Sequence, residues 1–297
     1  MTSLAPPPAH PRRLVFLGTP DVAVPPLRVL NAAGYDIVTV LTRIDKRRGR
    51  GGHASPSPVK AAALELGLPV VHTVEDLAEF DADLGVVVAY GRLIPEYLLE
   101  RVPMVNLHFS LLPRWRGAAP VERAILEGDT ETGVCVMGVE VALDTGPVYA
   151  CERLPIGRLS TASSLRSELS GIGATLLVDT FKAGLVDPTP QTGDPTYAHK
   201  LKTDDFVLHW DTPSVQLLRV IRVGGARTIF RDKVFKIHEA ALVDDPQLSP
   251  GMILGTHVGT AAGTLELLTV QPEGKPKLEA SAWLNGAHLG PHEQFQW

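Results

Sequence analysis

Met104-Val105-Asn106-Leu107-His108-Phe109-Ser110-Leu111-Leu112-Pro113 carries two patterns at once. Residues 104–109 read as a buried strand, along which successive side chains alternate between faces. Asn106, His108 and Ser110 then share one face, while Leu107 and Phe109 turn toward a core. Pro113 lacks an amide hydrogen and stops the strand, and Gly117-Ala118-Ala119-Pro120 opens a helix through Val121 to Glu127. A polar face is thereby placed at a strand's carboxyl end, where open α/β sheets hold their ligands. Further along, Leu143-Asp144-Thr145-Gly146 supplies a carboxylate. A carboxamide, an imidazole and a carboxylate within reach of one substrate form a set suited to moving an acyl group between amines.

Working outward, residues 13–18 and 37–41 read as strands, with a helical stripe of Val22, Val24, Leu27 and Leu30 between them. A helix over 58–66 starts near Ser57, a short strand covers 70–72, and 84–89 is a continuous apolar strand buried on both faces. Strands over 133–141 and 148–154 and a helix over 163–183 complete an α/β unit with a parallel, Rossmann-like sheet. Residues 1–12 are Pro-rich and read as a disordered tail, 13–183 as the catalytic domain, and 184–204 as a linker without apolar period. The remainder, 205–297, has a helix over 214–222 followed by short β-type runs at 228–230, 234–238, 252–255, 264–270 and 280–283, as in a small OB-like β-barrel.

Composition narrows the function classes. The chain has 297 residues, enough for two domains, and a formal charge of -5 that argues against indiscriminate nucleic-acid binding. Any RNA contact must come from local patches, and there are two. Arg43, Lys46, Arg47, Arg48 and Arg50 face Asp45 alone, and from 219 to 236 six cations, Arg222 and Arg227 among them, face one Asp. Cys135 and Cys151 show no Cys-x-x-Cys or zinc-ligand spacing, so buried thiols in a reducing compartment are expected and metal binding is not. The apolar run 14–17 is too short for a signal or a membrane segment, which places the protein in the cytoplasm, away from any membrane. Gly18-Thr19-Pro20 lacks the further glycines of a dinucleotide fingerprint.

Each candidate has a plainer reading by itself. A lone strand His is most often a satisfied core residue, and an Asp before Thr-Gly an ordinary turn former. Their joint occurrence decides for chemistry.

Taken with Phe16-Leu17-Gly18-Thr19-Pro20, Pro56-Ser57-Pro58-Val59-Lys60, Ala89-Tyr90-Gly91-Arg92-Leu93-Ile94-Pro95 and Thr196-Tyr197-Ala198-His199-Lys200-Leu201, these motifs resemble those of the methionyl-tRNA formyltransferases. Val270 to Lys275 and Trp283 to Ala287 extend the resemblance over nearly the whole chain. The Asn-x-His-x-Ser-Leu-Leu-Pro motif with its later Asp-Thr-Gly is shared with the wider folate-dependent superfamily. It speaks strongly for the chemistry and weakly for the substrate. The resemblance implies 10-formyltetrahydrofolate as formyl donor, the α-amine of initiator Met-tRNA as acceptor, a role in priming translation initiation, no metal, and a monomer.

It further implies Asn106, His108 and Asp144 as catalytic residues. Asn106 would donate to the developing oxyanion, His108 would shuttle a proton, and Asp144 would orient the imidazole or accept the amine's proton through a water. Folate contact falls to Ser110, Leu111, Leu112 and Pro113 and to Tyr90, Gly91, Arg92, Leu93, Ile94 and Pro95. The acceptor end of tRNA falls to Arg43, Lys46, Arg47, Arg48 and Arg50, with Arg222 and Arg227 on a phosphate track. Two departures stand out: Gly52 and His53 replace the family's common lysines, and Arg222-Val-Gly-Gly-Ala-Arg227 replaces a longer segment. The competing reading is a formyltransferase acting on a small amine or an amino sugar.

Overall fold

The structure, a computed structural model, describes residues 4–47, 54–244, 247–290 and 292–296. The chain divides into two compact units, the first made of Met1–Val121, Glu131–Pro155 and Arg166–His199 and the second of Glu122–Thr130, Ile156–Leu165 and Lys200–Trp297. Arg48, Arg50, Gly52 and His53 lie outside the described residues.

Through the first unit the chain runs β1 (Arg13–Gly18), α1 (Val24–Ala32), β2 (Asp36–Leu41), β3 (Lys46–Arg47), β4 (Ala54–Ser55), α2 (Pro58–Glu65), β5 (Val70–Val71), β6 (Leu84–Val88), α3 (Glu96–Arg101), β7 (Met104–His108) and β8 (Arg116–Gly117). It continues through α4 (Pro120–Glu127), β9 (Glu131–Gly138), β10 (Val148–Pro155), α5 (Ala162–Ala183) and β11 (Tyr197–Ala198). Seven strands form one sheet in the order β10-β9-β7-β6-β1-β2-β5. From β7 to β5 the neighbours are parallel, as the alternation of strands and helices requires. The sheet is nevertheless mixed, since β9 runs antiparallel to both β7 and β10. A short connection can join only antiparallel strands, and β9 to β10 is such a connection.

Local chemistry explains the elements that position the site. All five residues of β6 are buried, and Gly85 makes room for the Met104 side chain of β7, which an added Cβ would meet at 2.6 Å. Ser57 caps α2 by accepting the Lys60 amide at 3.0 Å, and Pro58 follows at the first helical position, where no amide bond is lost. Chain order reverses between β1 and β6, so the carboxyl ends of β6 and β7 border the crevice beside a topological switch.

The stretches read as tail and linker are held in place. The Leu185 amide donates to Ala9 O at 2.8 Å, and the Arg12 and Arg13 amides donate to Asp83 Oδ2 at 2.8 and 2.9 Å. Val148 and Thr189 exchange two amide bonds of 2.8 Å, and β11 pairs with β8. Residues 184–199 therefore form a strap across the first unit, and only 200–204 belong to the second. Pro and Gly removed the apolar period that would have announced this, but the strap is fixed through its backbone.

The second unit contains α6 (Ser214–Val223), β12 (Arg227–Phe230), β13 (Lys233–Val243), β14 (Ile253–Leu254), β15 (His257–Gly259), β16 (Thr264–Pro272), β17 (Leu278–Glu279) and α7 (Ala280–Ala287). The strands pair antiparallel in the order β12-β13-β16-β15-β14, with β17 on β16. Residues 293–296 close this sheet into a barrel by pairing with both of its edges. Gln296 bonds Ile229 next to one edge, and Glu293 O accepts the Ile253 amide at 3.0 Å on the other. Phe230, Phe235, Trp283 and Phe295 fill the interior with ring centroids 4.8–6.3 Å apart. The run 280–283, read as β-type, is instead the first turn of α7, which buries Ala280, Trp283 and Ala287 at helical spacing.

Closure of the barrel is reinforced by Arg231, whose Nε and Nη2 each reach the Glu293 carboxylate at 2.6 Å while Nη1 donates to Ala287 O at 3.0 Å. The guanidinium and the Gly290 amide lower the Glu293 pKa from 4.5 to about 2. A carboxyl whose folded pKa is depressed stabilises fully above its unfolded value and loses that contribution as pH falls through the folded one. Glu293→Gln should therefore lower the thermal midpoint at pH 6, with variant and wild type converging as the pH is taken from 4.5 to 2. An offset that stays constant across this window would contradict the assignment.

Candidate active site

β7 lies between β6 and β9, with Asn106 in register with Val87 and Met137, and His108 in register with Cys135. At its carboxyl end the polar face opens into a cavity of about 430 Å³. Asn106, His108 and Asp144 form the polar end of this cavity, and Leu93, Ile94, Met137, Val139 and Leu143 are among its apolar walls. Apolar walls with a few convergent polar groups are what a small-molecule site requires.

The imidazole of His108 is only 5% exposed, and its Nε2 lies 2.8 Å from the carbonyl oxygen of Trp115. A carbonyl can only accept, so Nε2 carries a hydrogen and donates it. Nδ1 is left as the ring nitrogen available for proton transfer, and it faces Asp144 Oδ2 at 3.7 Å. That is an ion-pair separation and too long for a hydrogen bond. The imidazole is thus held at Nε2 by the Trp115 carbonyl, with the Asp144 carboxylate facing its other nitrogen.

Asp144 is itself tightly placed. Its side chain is 10% exposed, and Oδ2 accepts the Gly117 amide at 2.8 Å while Asn106 Nδ2 approaches Oδ1 at 3.4 Å. Its backbone is left-handed, with φ of 53°, in the loop joining β9 to β10. Gly146 is required in that loop because a Cβ there would fall 1.9 Å from Gly138 O.

The residues assigned to ligand contact separate into two groups. Tyr90, Gly91, Arg92, Leu93 and Ile94 line the cavity, and Pro95 precedes α3 as its N-cap. Burial raises the Tyr90 pKa, with Arg92 pulling the other way, so the phenol stays a hydrogen-bond donor. Ser110, Leu111, Leu112 and Pro113 do not line the cavity. The Ser110 hydroxyl donates to Arg114 O at 2.6 Å and the Arg114 amide to Leu111 O at 3.1 Å, a turn that carries this segment away from the polar face. Leu112 and Pro113 border a different depression, beside Tyr149 and Cys151.

Cys135 and Cys151, expected as separate thiols, form a disulfide. Sequence spacing gave no sign of it because the pairing depends on register: the two residues stand directly opposite on β9 and β10, with Cα atoms 4.1 Å apart. The bridge spans the base of the loop that carries Asp144.

Among the basic residues, Arg43 is half-buried just beyond β2, and Lys46 and Arg47 form β3, which pairs with β4. In the second unit Arg222 donates to Ser160 O at 2.7 Å and Gly157 O at 2.9 Å, its pKa lowered by burial and then by Arg219. Arg227 donates to Thr203 O at 2.8 Å. Both guanidiniums donate to backbone carbonyls of their own unit, which ties them into its packing.

Similarity to known proteins extends over most of the chain. Residues 12–181 match the family model described as formyl transferase, and 200–288 match that of the formyl transferase C-terminal domain. The chain is 41% identical to the methionyl-tRNA formyltransferase of Symbiobacterium thermophilum, covering 95% of each chain. It is 43% identical to that of Clavibacter sepedonicus, covering 92% of this chain and 97% of the relative. The fold is similar to that of HypX from Aquifex aeolicus in complex with tetrahydrofolic acid, at a TM-score of 0.67 and 18% identity over 96% of this chain, which spans 49% of HypX. The methionyl-tRNA formyltransferase from Clostridium thermocellum gives a TM-score of 0.59 at 14% identity, over 78% of this chain and 94% of that one.

The tautomer of His108 is directly measurable. Nitrogen-15 NMR of the neutral imidazole should show a protonated Nε2 and a bare Nδ1, and the reverse pattern would refute the Trp115 bond.

Proposed function

The chain belongs to the methionyl-tRNA formyltransferase family, and from that premise we propose that it transfers a formyl group from 10-formyltetrahydrofolate to the α-amine of methionine on initiator tRNA. The observation that carries the reading is the meeting of Asn106, His108 and Asp144 at one end of a single cavity. That cavity, about 430 Å³ with a mainly apolar wall, is of a size and character to take a flat heteroaromatic ring. The formyl folate brings an electrophilic carbonyl carbon; the chain's residues supply position, charge and proton handling.

As the amine adds to that carbon, negative charge grows on the carbonyl oxygen. Asn106 is placed to answer it, because among the described residues its amide makes one long contact, to Asp144 at 3.4 Å, and keeps a hydrogen for the substrate. One preorganised donor of this kind is worth about 3–4 kcal/mol. With Nε2–H tied to the Trp115 carbonyl, His108 in its imidazolium form carries its second proton at Nδ1 and delivers it from there toward the departing nitrogen. Asp144, fixed by the Gly117 amide, receives the amine's proton directly or through a water and keeps the imidazolium paired across 3.7 Å.

Contact with tRNA is assigned to Arg43, Lys46, Arg47, Arg48 and Arg50, a group of cations in a chain of net charge -5. In this reading the enzyme acts as a cytoplasmic monomer. No helix among the described residues is long and apolar enough to cross a membrane.

Formyl transfer from 10-formyltetrahydrofolate to charged initiator tRNA should be efficient and should weaken as salt rises, whereas free methionine should be a poor acceptor. Equal use of the free amine would instead favour the small-amine or amino-sugar reading. Asn106→Ala should lower kcat by about 10²–10³-fold with little change in KM. The rate should rise with pH through the α-amine pKa of about 7–8, since only the uncharged amine attacks. A variant that loses affinity in place of turnover would remove Asn106 from the chemistry.

A further inference from the structure

The geometry points to Gln191, in the strap between the two units' sequences, as a positioning residue for Asp144; we infer that its side-chain amide locks the carboxylate loop in its working conformation. The inference rests on the role given to Asp144 in the proposed function. Gln191 Nε2 donates to Asp144 O at 2.9 Å and to Gly146 O at 2.8 Å. Its Oε1 accepts from Arg116 Nε at 3.0 Å and Nη2 at 2.7 Å. A guanidinium has only hydrogens to give and a carbonyl only lone pairs, so one orientation of the amide satisfies all four bonds.

Such a clamp answers a local difficulty. Asp144 occupies a left-handed backbone conformation that non-glycine residues adopt at a cost, and its carboxylate has to meet the Gly117 amide at 2.8 Å. Arg116 and Gly117 are adjacent in β8. The side chain of one therefore anchors Gln191 while the amide of the other anchors the carboxylate, and Gln191 joins the two halves of the arrangement. Without it, nothing among the described residues bonds the carbonyls of both Asp144 and Gly146. Displacement of a reacting group by about 1 Å is sufficient to cost about 100-fold in rate.

Three variants test this: Gln191→Ala, Gln191→Glu and Asp144→Asn, with the double variant Gln191→Ala/Asp144→Asn, assayed by single-turnover and steady-state formyl transfer to Met-tRNA. Gln191→Ala should lower kcat by about 10–100-fold and leave KM for Met-tRNA within about threefold. Gln191→Glu keeps the shape and the Arg116 bonds but presents lone pairs to two carbonyls, so it should be at least as impaired, and it serves as the reading if the Ala variant fails to fold. In the Asp144→Asn background, Gln191→Ala should change the rate by less than about twofold, because a residue that acts through Asp144 has nothing left to position. Full multiplication of the two losses, or wild-type kcat in Gln191→Glu, would overturn the proposal while leaving Asp144 in place. Wild-type turnover in Asp144→Asn would remove Asp144 from the reaction, and the role of Gln191 with it.

Discussion

A carboxylate that is nine-tenths covered and has no full cationic partner has to be satisfied by hydrogen bonds, or it will take up a proton or leave. The Gly117 amide, 2.8 Å from Asp144 Oδ2, meets that need, and much of the first unit is arranged so that the bond forms. Gly117 is free to face the carboxylate because its φ of 115° suits a residue without a side chain, and a Cβ there would meet Ala198 O at 2.9 Å. β8 is in turn held by β11, with the Arg116 amide donating to Thr196 O and the Ala118 amide to Ala198 O. The strap is therefore part of the frame of the site.

The same frame serves the imidazole. The Trp115 amide donates to Thr196 Oγ1 at 2.9 Å, and its carbonyl accepts from His108 Nε2. Trp115 has a φ of 64°, so a second residue beside the site stands in the left-handed region. Consecutive residues thus divide the labour: Trp115 orients the imidazole, Arg116 reaches the strap, and Gly117 binds the carboxylate. Backbone groups perform two of these three tasks, and a backbone group is less readily displaced than a long side chain.

This division accounts for what could be read from the chain and what could not. The strand carrying Asn106 and His108 was legible because its neighbour β6 is a continuous apolar segment and alternation along β7 puts both polar groups on one face. The carboxylate was legible from its Asp-Thr-Gly turn. The Trp115 carbonyl and the Gly117 amide belong to no side chain, so residue type could not announce them. Gln191 stood among Pro, Thr and Gly, in a stretch whose composition suggests a linker. In the second unit, Arg222 and Arg227 were visible as charges, but a charge alone does not reveal the backbone carbonyls of the same unit that each also bonds. The disulfide depended on an antiparallel register that only the assembled hairpin defines.

Fixing the proton of His108 on Nε2 has a consequence for the order of events. Nδ1 faces Asp144 Oδ2, so in the proposed reaction the nitrogen that hands a proton to the departing group looks toward the carboxylate that takes one from the amine. At 3.7 Å the two do not exchange a proton directly, and the substrate or a water must stand between them. Proton donor and proton acceptor of that proposal are therefore separate groups facing one gap. In the proposed reaction nucleophile activation and leaving-group departure are then served across one gap, beside which the Gly117 amide holds the carboxylate.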